Sequence, residues 1–332
     1  MLPVVTIALL LCVRAAGQAS EARSSDDGFE ANHQKGEYYI KQGDLRSAIP
    51  YLRRAFEIDP ANYNNGYDLA VASLQTQDVE GARRIIETLQ KAQDTSELHN
   101  LLGAVEEASG HTIQAVKEYE AAARADPSEK HVFDLGTELL NHSGYQQAIQ
   151  IFEYGSARFP KSARLQVALG VAYYSVGRYA DAIKSLCAAV DLDPADTRAM
   201  EFLGKMNDVS PEMADEASRH LAHFAQVYPA NAAANYYYAL SLRGRTKPGE
   251  IESLLIKAIK ADPRMADAYY QLGILYQGED QTAKAILEYE RAVHLRPDFK
   301  SAHYRLSVLY QAQGQAEKAR RELDIFRSLN KQ

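Results

Sequence analysis

The sequence contains no tryptophan and only two cysteines, Cys12 and Cys187. Two thiols cannot form the disulfide framework that holds small secreted domains together, nor the four-thiolate set of a structural zinc site. The fold must therefore be stabilised by the packing of apolar side chains. Cys187 lies in the apolar segment SLCAAV, and we expect it to be a small buried residue.

Sequence motifs of enzyme active sites are also missing. The chain has no Gly-rich phosphate loop, no His-Glu-x-x-His and no Gly-x-Ser-x-Gly. His220 and His223 are spaced like two ligands on one helical turn, but a metal site needs a third ligand, which this segment does not offer. We therefore predict that the protein is not an enzyme and has no catalytic residue, no metal, no cofactor and no small-molecule substrate.

Positive charge is scarce. The sequence has 37 Lys and Arg residues against 44 Asp and Glu residues, which gives a formal net charge of -7. A protein that binds nucleic acid through the phosphates needs a basic surface. The charge balance therefore argues against a nucleic-acid partner.

A long apolar run occurs only near the N-terminus, from Leu2 to Val13. It is too short to span a bilayer comfortably, and the small residues Ala15 and Gly17 that follow are typical of a signal-peptide cleavage site. We predict a signal peptide over 1–19 and a polar linker over 20–28, and hence export to the periplasm or the medium. The alternative is an uncleaved membrane anchor, because no Lys or Arg precedes the run and Arg14 follows it directly.

Proline is sparse, with eleven residues, but seven of them are separated by one or two periods of about 34 residues. These seven are Pro60, Pro127, Pro160, Pro194, Pro229, Pro263 and Pro297. Small residues recur at fixed offsets before them. They are Gly36, Gly103, Gly136, Gly170, Gly204 and Gly273, followed by Ala48, Ala115, Ala148, Ala182 and Ala285.

The clearest period, residues 264–297, reads as two short amphipathic helices. One face of the first would carry Tyr269, Leu272, Gly273 and Tyr276, and one face of the second would carry Ala285, Leu287, Tyr289 and Ala292. Glycine inside a helix costs about 1 kcal/mol relative to alanine. Its recurrence therefore predicts that the two backbones approach closely where glycine and alanine face each other.

This pattern resembles the tetratricopeptide repeat family over roughly residues 29–329. The resemblance implies an all-α fold, a right-handed superhelical solenoid of antiparallel helix pairs. About nine repeats are predicted, over 29–62, 63–95, 96–128, 129–162, 163–196, 197–231, 232–265, 266–299 and 300–329. The sixth has one extra residue, which we place in the turn before Pro211.

In this family the concave face formed by the first helices usually holds a peptide, so the resemblance implies a protein or peptide partner. In the last three repeats that face would carry a ladder of tyrosines backed by aliphatic residues. The predicted binding residues are Tyr236, Leu240, Arg243, Tyr270, Ile274, Tyr304, Arg305 and Val308, with Tyr67 and Phe133 in earlier repeats. The Lys and Asn clamp of the family's chaperone-binding members is matched only by Lys205 and Asn100, far apart in sequence.

The predicted function is a non-enzymatic, exported scaffold that holds a partner segment in this groove. The alternative is a structural subunit of a cell-envelope assembly or export complex, which would contact its partners through the convex face and the ends.

Overall fold

The computed structural model describes residues 28–330, so the predicted signal peptide and the predicted linker up to residue 27 lie outside the described residues. Within 28–330 the chain folds into α-helices joined by short turns and contains no β-strand. The predicted all-α class is confirmed. No helix in this range is both long enough and apolar enough to cross a lipid bilayer.

Eighteen helices follow one another in this part of the chain. They are α1 (Phe29–Lys41), α2 (Leu45–Ile58), α3 (Tyr63–Gln75), α4 (Val79–Gln90), α5 (Ser96–Ala108), α6 (Thr112–Ala125), α7 (Glu129–Asn141), α8 (Tyr145–Arg158), α9 (Ala163–Ser175), α10 (Tyr179–Leu192), α11 (Thr197–Val209), α12 (Pro211–Val227), α13 (Ala232–Ser241), α14 (Pro248–Ala261), α15 (Ala266–Gly278), α16 (Thr282–Leu295), α17 (Lys300–Ala312) and α18 (Ala316–Leu329).

The chain divides into two compact units, one up to Glu118 and one from Tyr119 onward, with α6 crossing the division. In the first unit, α1 packs against α2 and α3 against α4, and each pair contacts the helix that follows it. The second unit repeats this arrangement from α7 to α18. Each pair buries its apolar face against the next pair in the same unit, as expected for helices too short to be stable alone.

Several helices begin at a residue whose side chain accepts a hydrogen bond from the first turn. The Oδ1 atom of Asp44 accepts from the backbone N–H of Ser47 at 3.1 Å, and Asn62 accepts from Asn65 in the same way. Hydrogen bonds from Ser47 hold the pKa of Asp44 below its usual value. These caps satisfy N–H groups that have no partner within the helix.

The turns inside the helix pairs share one backbone feature. In eight of the nine pairs, one turn residue has a φ angle between 58° and 77°, in the left-handed region. These residues are Gly43, Gln77, Gly110, Ser143, Gly177, Gly244, Asp280 and Gly314. Between α11 and α12 there is only Ser210, and its φ angle is -147°.

The recurring glycines do make room for close helix packing, but their neighbour differs from the predicted one. A Cβ atom built on Gly273 would lie 2.5 Å from Cε1 of Tyr289, and one on Gly170 would lie 2.7 Å from Cγ of Leu186. These large side chains come four residues after the small alanines of the second helix. The missing Cβ therefore accommodates a ring or an aliphatic side chain, and not mainly a facing alanine.

Two further expectations from the sequence are wrong. Leu287 is 45% exposed on α16, whereas its neighbour Ile286 is buried, so Leu287 is not on the packed face. The extra residue of the sixth repeat is not in a turn either. Only Ser210 separates α11 from α12, and α12 has 17 residues where most second helices have 14, so the extra residue extends α12.

A tyrosine near the end of three first helices forms a polar contact that the sequence pattern did not predict. The hydroxyl of Tyr173 donates to Oε1 of Glu153 on the preceding helix at 2.5 Å, and Arg178 lies 4.3 Å from the ring centroid. Equivalent bonds join Tyr276 to Glu252 and Tyr310 to Glu290. Burial and the neighbouring Glu153 raise the pKa of Tyr173 to about 12.

Candidate functional site

A surface depression of about 400 Å³ lies between α11, α13 and the start of α15. We call it the polar depression. Its lining includes Glu201 and Lys205 from α11, Tyr236, Tyr237 and Leu240 from α13, Arg243 after α13, and Asp267 from α15. Two adjacent first helices, α11 and α13, pack directly against each other here, and Gly204 of α11 faces Tyr237.

The two tyrosines form the wall of the polar depression. Tyr236 is only 8% exposed, and its ring meets that of Tyr237 edge to face at a centroid distance of 5.0 Å. Burial, followed by the negative charges of Glu201 and Asp267, raises the pKa of Tyr237 to about 12. Burial also raises the pKa of Tyr236, although a hydrogen bond with the Gln271 side chain opposes that shift. Both hydroxyls are therefore neutral at ordinary pH.

The charged side chains around the polar depression are paired with one another. The three ion pairs are Lys205 with Glu201 at 2.6 Å, Arg243 with Asp208 at 3.1 Å, and Arg296 with Asp267 at 2.7 Å. Because each charge has an opposite charge beside it, the depression as a whole offers no strong field for a charged ligand.

A second depression of about 350 Å³ adjoins the first and shares Leu240 and Arg243 with it. We call it the aliphatic depression. It lies between α13, α14 and α15, and its apolar lining is Leu240, Pro248, Ile251, Leu255, Ile274 and Leu275. Together the two depressions form one continuous groove along α13, which we call the α13 groove.

The predicted binding residues are only partly brought together. Tyr236, Leu240, Arg243 and Ile274 line the α13 groove. Tyr270 is half-buried, and its ring packs 4.7 Å from that of Phe299. Tyr270 lines neither depression.

The remaining predicted residues lie elsewhere. Tyr304 is 49% exposed and packs against Phe326, and Val308 is 44% exposed on the same helix. The guanidinium of Arg305 donates to Gln277 at 3.3 Å.

The two residues predicted in earlier repeats have aromatic or cationic neighbours. Phe133 is half-buried, and Arg164 lies 4.2 Å above its ring. Tyr67 belongs to the first unit and stacks on Tyr63 at 5.9 Å. As ligand contacts, all ten residues stay predictions.

Sequence reasoning missed Tyr237, Ile251, Leu255 and Gln271 as lining residues of the α13 groove. The three adjacent tyrosines of α13 were a signal for Tyr237, because a helix cannot turn three consecutive rings to the same side. Ile251 and Leu255 are on the second helix of their pair, which sequence reasoning had assigned to packing alone.

Among residues 28–330, no group of three or more His, Cys, Asp or Glu side chains is arranged to hold a metal ion. Cys187 is buried beside the acidic side chains Asp191 and Glu216, and burial raises its pKa to about 12. The thiol is therefore protonated and unreactive at neutral pH.

Comparisons with known proteins agree with this architecture. One relative is Superkiller complex protein 3 of Mus musculus, which is 29% identical over 175 residues. That match covers 51% of this chain but only 11% of the relative, so the chain spans about a tenth of the length of that relative.

Two solved structures share the fold. The C-terminal part of a TPR repeat-containing protein from Cytophaga hutchinsonii superimposes with a TM-score of 0.52 at 17% identity, covering 81% of this chain and 97% of that one. A tetratricopeptide repeat protein from Parabacteroides merdae gives a TM-score of 0.50 at 15% identity, covering 85% and 98%.

Three family models described as tetratricopeptide repeat match residues 39–105, 133–207 and 266–299. These segments fall in both units, and each contains the paired helices and small residues described above. The chain therefore belongs to the tetratricopeptide repeat family.

Proposed function

We propose that the protein is a non-enzymatic scaffold that holds a segment of a partner protein in the α13 groove. The observation that carries this proposal is the continuity of the two depressions along α13, which share Leu240 and Arg243. A continuous groove suits an extended or helical segment better than a small molecule, because the segment can contact both parts at once.

The family supports the protein-binding class, since tetratricopeptide repeat proteins generally bind protein partners. The name of the relative, Superkiller complex protein 3, says that this relative is part of a complex. We extend only that general property, participation in a protein assembly, to this chain.

Rigidity of the groove supports binding as well. Tyr236 and Leu255 are almost fully buried, so the groove has a packed floor that does not have to be ordered when a partner arrives. Tyr237, which is half-buried in the lining, also provides ring surface for contact with few rotatable bonds. A pre-organised surface loses less conformational entropy on binding.

A cross-linking experiment tests this proposal. We expect a photo-reactive amino acid at Leu240 or Ile274 to capture the same partner from the native cell fraction. The same amino acid at Leu287, which is exposed on α16 and lines neither depression, is the matched control. Equal capture at Leu287 would remove the support for the groove.

A charge introduced into the groove gives a second measurement of the same proposal. Leu240→Asp places a carboxylate on half-buried apolar surface, and burying it against a guest costs more than 1.4 kcal/mol, so capture should fall by about tenfold or more. Leu287→Asp should leave capture unchanged.

We also propose that the chain is exported and that residues 1–19 are its signal peptide. Support comes from the apolar run and the small residues that follow it. Mass spectrometry of the protein from its native host should find a mature N-terminus close to residue 20. An intact Met1 in the membrane fraction would favour the uncleaved anchor.

A structural subunit of a cell-envelope assembly or export complex is the second candidate. An open depression on α18, lined by Arg320, Arg321 and Ile325, favours this alternative because it lies on the second helix of the last helix pair. Cross-links from these positions, combined with none from Leu240, would support the second candidate over the first.

A further inference from the structure

The two parts of the α13 groove differ in chemistry. The polar depression has tyrosines and paired charges, whereas the aliphatic depression is lined mainly by hydrocarbon from three helices. Because of this difference, the two parts of the groove favour different side chains of a guest. The aliphatic depression, at the end of α13 that leads into the turn, is the place where one guest side chain would be selected.

The aliphatic depression has a fixed floor and open walls. Leu255 is fully buried and Ile251 is 7% exposed, so both belong to the core and form the floor. Leu240, Ile274 and Leu275 are half-buried, and their remaining exposed surface faces solvent. Its volume of about 350 Å³ lies within the usual range of roughly 300–1,000 Å³ for ligand pockets.

The charges beside the aliphatic depression do not call for a charged guest. Arg243 stands at its rim, where it is paired with Asp208 at 3.1 Å. Glu279 also lines the depression, but it is exposed, so solvent screens its carboxylate and its attraction for a guest cation is weak. A charged guest side chain would lose part of its hydration shell on the apolar lining and gain little from either charge. An uncharged side chain loses nothing of this kind, so the electrostatics favour an uncharged anchor.

Polar groups at the rim match the main chain of a guest. Gln271 lines the aliphatic depression, and its amide both donates and accepts hydrogen bonds. Thr246 lies on the same rim and donates to Glu250. Gln271 already bonds Tyr236 and Thr246 already bonds Glu250, and the hydrogen-bonding atoms that they have left suit the peptide N–H and C=O groups on either side of an inserted side chain.

We propose that the aliphatic depression is an anchor pocket for a single uncharged aliphatic side chain, Leu, Ile or Met, of the segment held in the α13 groove. This inference rests on the proposed function, because it names the chemistry of the guest at that same site. The hydrophobic contact with Leu240, Ile251 and Ile274 supplies the attraction, and the cost of dehydrating a charge on this apolar lining disfavours acidic and basic side chains.

The test uses small fragments of a guest and the purified full chain with isotope-labelled Ile methyl groups. N-acetyl-leucine amide should shift the methyl signals of Ile251 and Ile274 saturably in NMR spectra. N-acetyl-lysine amide and N-acetyl-aspartate amide should bind at least about tenfold more weakly. Equal shifts with all three fragments, or no saturable shift with the leucine fragment, would overturn the anchor pocket.

A second copy of this chain is the competing occupant. Shifts of the same Ile methyl signals that depend on protein concentration, with no fragment present, would assign the pocket to self-association and overturn the proposal. A variant in which a larger side chain fills the pocket gives the complementary measurement. Leu240→Trp should abolish the shifts caused by the leucine fragment, whereas Leu287→Trp, outside the groove, should preserve them.

The outcomes separate this inference from the proposed function. Partner capture at Leu240 and Ile274 without selective binding of the leucine fragment would retain the groove and reject the aliphatic anchor. Selective fragment binding that Leu240→Trp abolishes, combined with no groove-dependent partner capture, would retain the pocket chemistry and reject the α13 groove as the partner site.

Discussion

Two helix pairs of the second unit, α15–α16 and α11–α12, show what the regular repeat achieves and what happens where it is interrupted. In α15–α16, Gly273 lies against Tyr289 of its own pair, and Asp280 turns the chain with a φ angle of 58°. In α11–α12, Gly204 instead faces Tyr237 of the following pair, and the turn is reduced to Ser210. The same glycine position thus serves packing within a pair in one case and packing between pairs in the other.

The difference between the two pairs coincides with the position of the α13 groove. Because α11 packs directly on α13, the surface there is built from two first helices rather than from one pair. The polar depression is lined from both, with Lys205 on one side and Tyr236 on the other. The interruption of the repeat thus lies where the largest concentration of predicted binding residues is found.

Replacing each of the two glycines with alanine should give the largest difference in stability effect between the two helix pairs. In Gly273→Ala the new Cβ lies 2.5 Å from Tyr289, and overpacking of this kind costs about 1–3 kcal/mol, against about 1 kcal/mol gained in helix propensity. We expect a net loss of up to about 2 kcal/mol in urea unfolding. In Gly204→Ala the new Cβ would lie 3.1 Å from the nearest atom of Tyr237, which is a milder clash. The gain in helix propensity should offset that clash, so the stability should be nearly unchanged.

The chain itself supplies a control for this experiment. In the seventh repeat Ala239 is the eighth residue of α13, the position of Gly273 in α15, and Leu255 is the eighth residue of α14, the position of Tyr289 in α16. Gly273→Ala combined with Tyr289→Leu recreates that pairing and should recover part of the loss. A double variant as unstable as the sum of both single variants would show that the glycine and the ring are not coupled.

The helix pairs could be predicted from the sequence because glycine, alanine and proline recur at regular spacings. Sequence reasoning did not predict that Gly273 makes room for Tyr289, because the offset of small residues does not reveal which large side chain points between them. It missed the aliphatic part of the groove for a related reason. Ile251 and Leu255 have the spacing of core residues, and only the packing of α13, α14 and α15 shows that they also form the floor of an open depression.

Alkaline titration should distinguish tyrosines in the regular and the interrupted regions. The pKa of Tyr173 and that of Tyr237 are both raised to about 12 from 10.0, chiefly by burial. A raised folded-state pKa means that the stability contribution is complete below pH 10 and is lost as the pH rises toward 12.

We expect the unfolding free energy to fall above about pH 9 to 10, where first Cys187 and then the tyrosines titrate in the unfolded chain, with a smaller fall in Tyr173→Phe and Tyr237→Phe. The neighbours supply the comparison. Glu153→Gln should lower the pKa of Tyr173 toward its usual value in tyrosinate absorbance, because Glu153 accepts a hydrogen bond from the neutral hydroxyl and repels the phenolate. That variant should not change the pKa of Tyr237, whose acidic neighbours are Glu201 and Asp267.

Glycine substitutions in the turns should produce the smallest differences, with opposite signs in the two pairs. Asp280 has a left-handed backbone that glycine adopts without steric cost, so Asp280→Gly should stabilise α15–α16 by about 0.5 kcal/mol after the entropy of the unfolded chain is counted. Ser210 has a φ angle of -147°, where glycine offers no relief, so Ser210→Gly should destabilise α11–α12 by about 0.5–1 kcal/mol. Gly314→Ala, at a φ angle of 75°, is the reciprocal control and should cost about 1 kcal/mol.

Amide hydrogen exchange of each pair resolves changes of this size locally. Stabilisation by Ser210→Gly would mean that the interrupted turn is strained, and the contrast between the two pairs would then be one of strain rather than of helix length.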